Sequence, residues 1–202
     1  MKNELKLTQE SGLVLAKTKK LMGLTNKLLS KDKPLSLRTA TTDLSQALIA
    51  GRYRDEGDGT VTDPTTGLQW QRISVGQRWV NGNCIGEAAE YDWEEALEVA
   101  DASDFAGYQD WRLPTIEELE SLVYCSSGKP RIWLKKGEYC EGDYKSPTIV
   151  EAAFPNTSPS ILFSSSPHAD YLNNAWGINF YNGYSGNVSH YDYVRVRLVR
   201  FG

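Results

Sequence analysis

The side chains that could do covalent or acid–base chemistry here are two histidines, His168 and His190, three cysteines, Cys84, Cys125 and Cys140, and the serine run Ser164-Ser165-Ser166 that precedes Pro167-His168. A serine nucleophile needs a base within hydrogen-bond reach and a sharp elbow that exposes its hydroxyl. Neither histidine is set in such an elbow, and a polar turn at a strand end accounts for the Ser-Pro-His run. A zinc site would show close ligand pairs such as Cys-x-x-Cys or His-x-x-x-His, and neither spacing occurs. Glu117, Glu118 and Glu120 cluster, but Glu118 holds a helix-capping position and the others read as a solvated face. No glycine-rich phosphate loop is present. Catalysis, a cofactor and a bound metal are not expected.

Binding chemistry is better represented. Residues 168–193 hold both histidines and five of the eleven tyrosines, and contain no Lys, Arg, Glu, Gln or Met. Tyrosine gives rigid amphipathic contact area, while Ser, Gly and Asn give adaptable hydrogen bonding, which is the composition of an antibody paratope. The plainer alternative is a tyrosine-rich hairpin that covers the domain's own flank.

Elements to position these residues can be read on either side. Thr60 to Thr62 and Leu68 to Arg72 are β-prone runs separated by the turn clusters Gly57-Asp58-Gly59 and Asp63-Pro64-Thr65-Thr66-Gly67, a β-meander pattern. Asp92 with Glu95 opens a helix over Trp93 to Ala100, and Thr115 with Glu118 opens another over Ile116 to Tyr124, both as capping boxes. Their apolar faces, Trp93, Ala96, Leu97 and Ala100 in one and Ile116, Leu119, Leu122 and Val123 in the other, suit helices that cover a sheet. Trp176, Ile178 and Phe180 alternate ahead of Asn182-Gly183, a strong hairpin signal. A last strand sets Val194, Val196 and Leu198 on a core face against Arg195, Arg197 and Val199. The expected class is α+β, with a mostly antiparallel sheet and two short covering helices.

Charge divides the chain. Residues 1–50 carry nine basic and four acidic residues, leaving a net of −9 over residues 51–202 from the overall −4. The first fifty residues therefore read as a basic, helically spaced leucine segment and linker. Residues 1–30 are expected to dock on a partner protein or an anionic membrane surface, or else to pack on the domain itself. An acidic domain does not suit a phosphate backbone, so no nucleic-acid partner is expected. No run of 18 or more apolar residues occurs, and residues 1–7 do not resemble a secretory signal, so a cytoplasmic location is expected. Cys125 and Cys140 could pair across a loop, but in that compartment reduced thiols are expected.

Asp58-Gly59-Thr60-Val61-Thr62-Asp63 with Thr66-Gly67-Leu68-Gln69-Trp70-Gln71, Phe105 to Leu119, Phe154-Pro155, Phe163 to Ser166, Ala175-Trp176, Phe180, Gly183 and Val196-Arg197-Leu198-Val199-Arg200 follow one another in order. This series resembles the DUF1566, or Lcl C-terminal, domain family across about residues 52–202. The resemblance implies a C-type-lectin-like fold that binds rather than catalyses. Sulfatase-modifying relatives of that architecture use late cysteines, and no cysteine follows Cys140 here. It also implies a likeness to variable proteins of diversity-generating retroelements, in which Asn codons are randomised at adenines. The resulting alphabet lacks Lys, Glu, Gln, Met and Trp, and residues 168–193 keep to it except at Trp176.

On that resemblance the variable region covers about residues 163–202, with Trp176, Phe180, Gly183 and Val194 onward as scaffold. The ligand-facing candidates are His168, Asp170, Tyr171, Asn173, Asn174, Asn179, Tyr181, Tyr184, Ser185, Asn187, Ser189, His190, Tyr191 and Asp192, facing an unknown protein or glycan. A fixed glycan-binding adhesin domain using Arg195 and Arg197 is the second reading, with edge-strand protection the blander role for those arginines. A sulfatase-modifier-like enzyme is the third.

Overall fold

The computed structural model describes residues 47–128 and 139–202. The basic segment expected over residues 1–50 therefore lies outside the described residues up to position 46. The compact unit that holds the described residues begins at Ser45.

Turn residues set up the first sheet. Strand β1 (Arg54–Asp55) turns through Gly57 and Gly59 into β2 (Thr60–Asp63), which turns through Asp63–Gly67 into β3 (Leu68–Gln71). Asp63 stabilises its own turn, its carboxylate accepting the Thr65 N–H at 2.9 Å while its carbonyl accepts from Gly67. The same carboxylate, fully buried, receives the Arg52 guanidinium. The C-terminal strand β11 (Val199–Phe201) closes this antiparallel sheet in the order β1-β2-β3-β11. A small hairpin, β4 (Arg78–Val80) with β5 (Asn83–Ile85), follows it.

The second sheet has the order β6-β10-β7-β8-β9, with β6 Glu90–Tyr91, β7 Ile161–Pro167, β8 Asn174–Asn179, β9 Tyr184–Ser189 and β10 Val194–Arg195. All its pairings are antiparallel except β10 with β7. Helices α1 (Trp93–Asp101) and α2 (Ile116–Glu120) both carry the expected capping box. They pack on opposite faces of this sheet. Ile116 and Leu119 join Leu162 and Ile178 in one core, while Ala96 and Ala100 join Phe163, Ala175 and Val188 in the other. Adjacent strand residues point to opposite faces, so Leu162 and Phe163 serve different cores. Between the strands Gly177 leaves no room for a side chain: a Cβ there would sit 2.8 Å from both the Leu162 carbonyl and Val188 Cγ2.

The α+β class, the mostly antiparallel pairing and the two short helices are as the sequence indicates. Four details differ. Leu97, assigned to the buried face of α1, is 36% exposed, because Trp93, Ala96 and Ala100 are the residues of the helix that meet the sheet. Helix α2 stops at Glu120 rather than Tyr124, yet Leu122 and Val123 remain buried through the turn that follows. Cys125 and Cys140 form a disulfide rather than reduced thiols, both buried beside the Ile116–Phe154 core.

The fourth difference concerns the final strand, which is not continuous. It belongs to the second sheet at Val194–Arg195, leaves regular pairing at Val196–Leu198 and enters the first sheet at Val199. Over the crossing, the Val75 N–H donates to Val196 O at 2.9 Å and the Gln71 N–H to Leu198 O at 3.1 Å. Arg197, expected to face outward, is completely buried. Its Nη1 donates to Gln71 O and its Nη2 to Thr157 Oγ1, both at 2.8 Å, and the guanidinium lies 4.9 Å over the Phe154 ring. Desolvation pulls its pKa below the usual arginine value. Arg195 is not on an edge either, since β10 lies between β6 and β7, which removes edge protection as its role.

Arg197→Ala is expected to lower the unfolding free energy in urea by about 3–5 kcal/mol, through lost packing and stranded acceptors. Arg195→Ala, whose partner Glu90 is half exposed, is expected to lose about 1 kcal/mol or less. Reducing the Cys125–Cys140 bridge, which spans 15 positions, is expected to cost about 3 kcal/mol in the same titration.

Candidate functional site

Strands β8 and β9, at one edge of the second sheet, and the loops around them carry the residues singled out by composition, and local turn chemistry shapes those loops. At the β8–β9 hairpin the Gly183 N–H donates to Asn179 O at 2.7 Å, and Gly183 adopts φ +81°, a backbone conformation open to glycine. Asn179 Oδ1 accepts the Tyr181 N–H at 3.0 Å and Asn182 Oδ1 the Tyr184 N–H at 3.1 Å. At the opposite end, His168 Nδ1 accepts the Asp170 N–H, Ser189 Oγ the Tyr191 N–H, and Asp192 Oδ2 the Ser189 N–H, each at 3.2 Å. Short polar side chains here therefore cap their own backbone. Part of the Asn, Ser and Asp enrichment is turn-making and leaves those atoms less free for a ligand.

Within this frame Asp170, Tyr171, Asn173, Tyr181, Tyr184, Asn187, Tyr191 and Asp192 are exposed. His168, Asn174, Asn179, Ser189 and His190 are partly buried. Both imidazoles lie against tryptophans: His168 stacks on Trp176 with ring centroids 4.5 Å apart, and His190 on Trp93 at 4.2 Å and nearly parallel. Trp93 is anchored in turn, its Nε1–H donating to Ser164 O at 3.1 Å. Ser185 does not face outward. It is 3% exposed and lies opposite Ile178 in the β8–β9 register, because the period-2 alternation of β9 turns it to the α2 side of the sheet.

The loop before β8 and the turn after β9 lie side by side, joined by the His190 N–H donating to Asn173 O at 2.8 Å and by the Asn174–Ser189 pair. Two large exposed residues of this region escape the sequence argument. Leu172, 91% exposed, and Tyr193, 61% exposed, both belong to the restricted alphabet, which is the signal that could have included them.

At the other end of β8 a groove of about 400 Å³ runs between Asn179, Tyr181 and Tyr193 on one part of its lining and Ser160, Ile161 and Arg195 on another. A larger hollow of about 850 Å³, lined by Arg52, Pro64, Glu117 and Tyr124 among others, holds none of the candidate positions.

The serine run has structural partners throughout. Ser164 Oγ donates to Trp176 O at 2.7 Å, Ser165 Oγ to Pro114 O at 3.2 Å, and Ser166 Oγ accepts the Ile116 N–H at 3.0 Å. Thus the hydroxyls fasten β7 to β8 and to the start of α2. Among the described residues, no three His, Cys, Asp or Glu side chains converge as a metal site, and no helix is long and apolar enough to cross a membrane.

Replacing Tyr171, Tyr184 or Tyr191 by Ser is expected to change the unfolding free energy by no more than about 0.5 kcal/mol each, as at other exposed positions. Ser185→Tyr is expected to cost about 1–3 kcal/mol by overpacking. Thermal denaturation of the four variants checks the contrast.

The family model of the Lcl C-terminal domain matches residues 59–200. No curated protein matches the chain.

Proposed function

The chain belongs to the Lcl C-terminal domain family, and from that premise we propose that it is a ligand-binding protein rather than an enzyme. In this reading a C-type-lectin-like scaffold presents a Tyr/Asn/Ser/His surface to a macromolecular ligand, protein or glycan, without metal or cofactor. One observation carries it. Of the twelve large hydrophobic side chains exposed among the described residues, six lie within 171–193: Tyr171, Leu172, Tyr181, Tyr184, Tyr191 and Tyr193. Exposed aromatic area concentrated in one short stretch marks an interaction surface, and tyrosines supply the anchors on which binding energy concentrates. The net charge of −9 over residues 51–202 favours such ligands over nucleic acid.

The same stretch supports diversification by a retroelement. Its loops are held by backbone bonds together with caps from short polar side chains. Its exposed tyrosines carry little of the packing, so substitutions at those tyrosines leave the scaffold standing. A fixed glycan-binding domain that pairs Arg195 with Arg197 loses its main argument, since Arg197 is buried and Arg195 is paired with Glu90. Disulfides persist in oxidising surroundings, so the Cys125–Cys140 bridge argues for such a compartment against the cytoplasmic expectation. Partner or membrane docking through residues 1–30 stays part of the proposal on their charge alone.

Sequencing the locus tests the diversification. A near-identical copy of the codons for about residues 163–202, with adenines wherever the two differ, is expected beside a reverse-transcriptase gene. A locus without that copy overturns diversification, and binding then has to be judged on the surface itself.

A further inference from the structure

Where the loop before β8 meets the turn after β9, the surface ends in an apolar tip. Leu172 is 91% exposed, whereas the next most exposed aliphatic side chains among the described residues, Leu48 and Val80, are at 41%. A leucine at that exposure touches almost nothing of its own chain and stands clear of the surface. Tyr171 precedes it, and Tyr191 follows His190, whose N–H donates to Asn173 O at 2.8 Å. The two tyrosines, 56% and 74% exposed, therefore flank Leu172 across that bond.

The tip is also held in shape. The His168 N–H donates to Asn174 O at 2.8 Å and the Asn174 N–H to Tyr171 O at 3.0 Å, so the loop closes on itself. Beneath it an aromatic ladder runs from Trp176 through His168, stacked at 4.5 Å, to Tyr171 at 5.0 Å. A loop fixed before it meets a partner loses little further freedom on binding.

We propose that Leu172, flanked by Tyr171 and Tyr191, is the anchor that this surface inserts into an apolar pocket of a partner protein. The proposal rests on the display-surface reading and narrows its ligand from protein or glycan to protein. The aliphatic side chain selects the class. Leucine neither stacks on a sugar as a ring does nor bonds to its hydroxyls, and covering hydroxyls with it strands them from water. A protein pocket lined by apolar groups leaves nothing unmet and gains the buried area. A bilayer is also apolar, but residues 168–193 hold no Lys or Arg to meet anionic lipid. Asp170 and Asp192, both exposed beside the tip, would be repelled by such a surface.

The test is a titration of the full chain, labelled with ¹⁵N and with ¹³C at leucine methyls, followed by NMR shifts. β-Cyclodextrin, whose cavity is apolar, stands in for the pocket. Maltoheptaose supplies the same glucose units without a cavity, and phosphatidylcholine–phosphatidylglycerol vesicles supply a bilayer. Cyclodextrin is expected to move the Leu172 methyls and the Tyr171 and Tyr191 amides saturably, at lower concentration than it moves Leu48 or Phe201. Neither other probe is expected to move them. Leu172→Ser is expected to weaken cyclodextrin binding about tenfold with the unfolding midpoint unchanged, while Leu172→Met keeps it within about threefold.

No preference for Leu172 over Leu48, equal shifts with maltoheptaose, or unchanged affinity in Leu172→Ser would overturn the proposal. So would vesicle binding lost in Leu172→Ser, which makes the tip a membrane anchor, or shifts that follow the concentration of the chain alone, which make a second copy its cover. Maltoheptaose shifts at Tyr181 and Tyr184 with none at Leu172 would overturn the tip and leave the display surface standing.

Discussion

A guanidinium with no carboxylate beside it sits where the C-terminal segment passes from one sheet to the other. Arg197 is enclosed by the Gln71 carbonyl, the Thr157 hydroxyl and the face of Phe154. A charge taken out of water is tolerable only where most of its donors are met. Here the two terminal nitrogens are met by segments distant in the chain, while Nε has no hydrogen-bond partner among the described residues. Residues 71–75, 154–157 and 196–198 must therefore hold fixed relative positions. Because β10 and β11 flank Arg197, that constraint also fixes the two larger sheets on one another. Strands β7, β8 and β9 depend on it, since β7 pairs with β10.

Around that seam most other arginines are also committed to the architecture. Arg52 closes on Asp63, Arg72 on Asp55 and the Ala152 and Ala153 carbonyls, Arg112 on Glu118, and Arg200 on Asp110 and Gln69. Rigid framework and adaptable surface are thus divided by residue type. Long charged side chains tie segments together, while short polar and aromatic ones cap turns or face outward in residues 168–193. Such a division separates the exposed side chains of that stretch from the groups that bridge the sheets.

Local signals in the sequence corresponded closely to local structure. Both capping boxes, the turns around Gly59 and Gly67, the Asn182-Gly183 hairpin and the strand at Leu68–Gln71 depend on residues a few positions apart. The candidate surface was legible in part for the same reason. A composition without long charged side chains pointed to the right stretch, and eight of its candidates are exposed. It could not separate Ser185 from its neighbours, since that depends on which face of β9 meets a helix. Nor could it find the groove, whose lining comes from positions as far apart as Glu90, Ser160 and Arg195.

By itself, then, the sequence determined the α+β class, the starts of the helices, the turns and the stretch that carries the exposed tyrosines, all of which follow from short-range backbone preferences and capping. Only the tertiary structure decided the fate of Arg197, the pairing of Cys125 with Cys140 and the meeting of Ser160 with Arg195 in one groove. The physical reason is common to the three. Burial and partnership are properties of side chains brought together from distant positions, and no spacing along the chain encodes the distance between them.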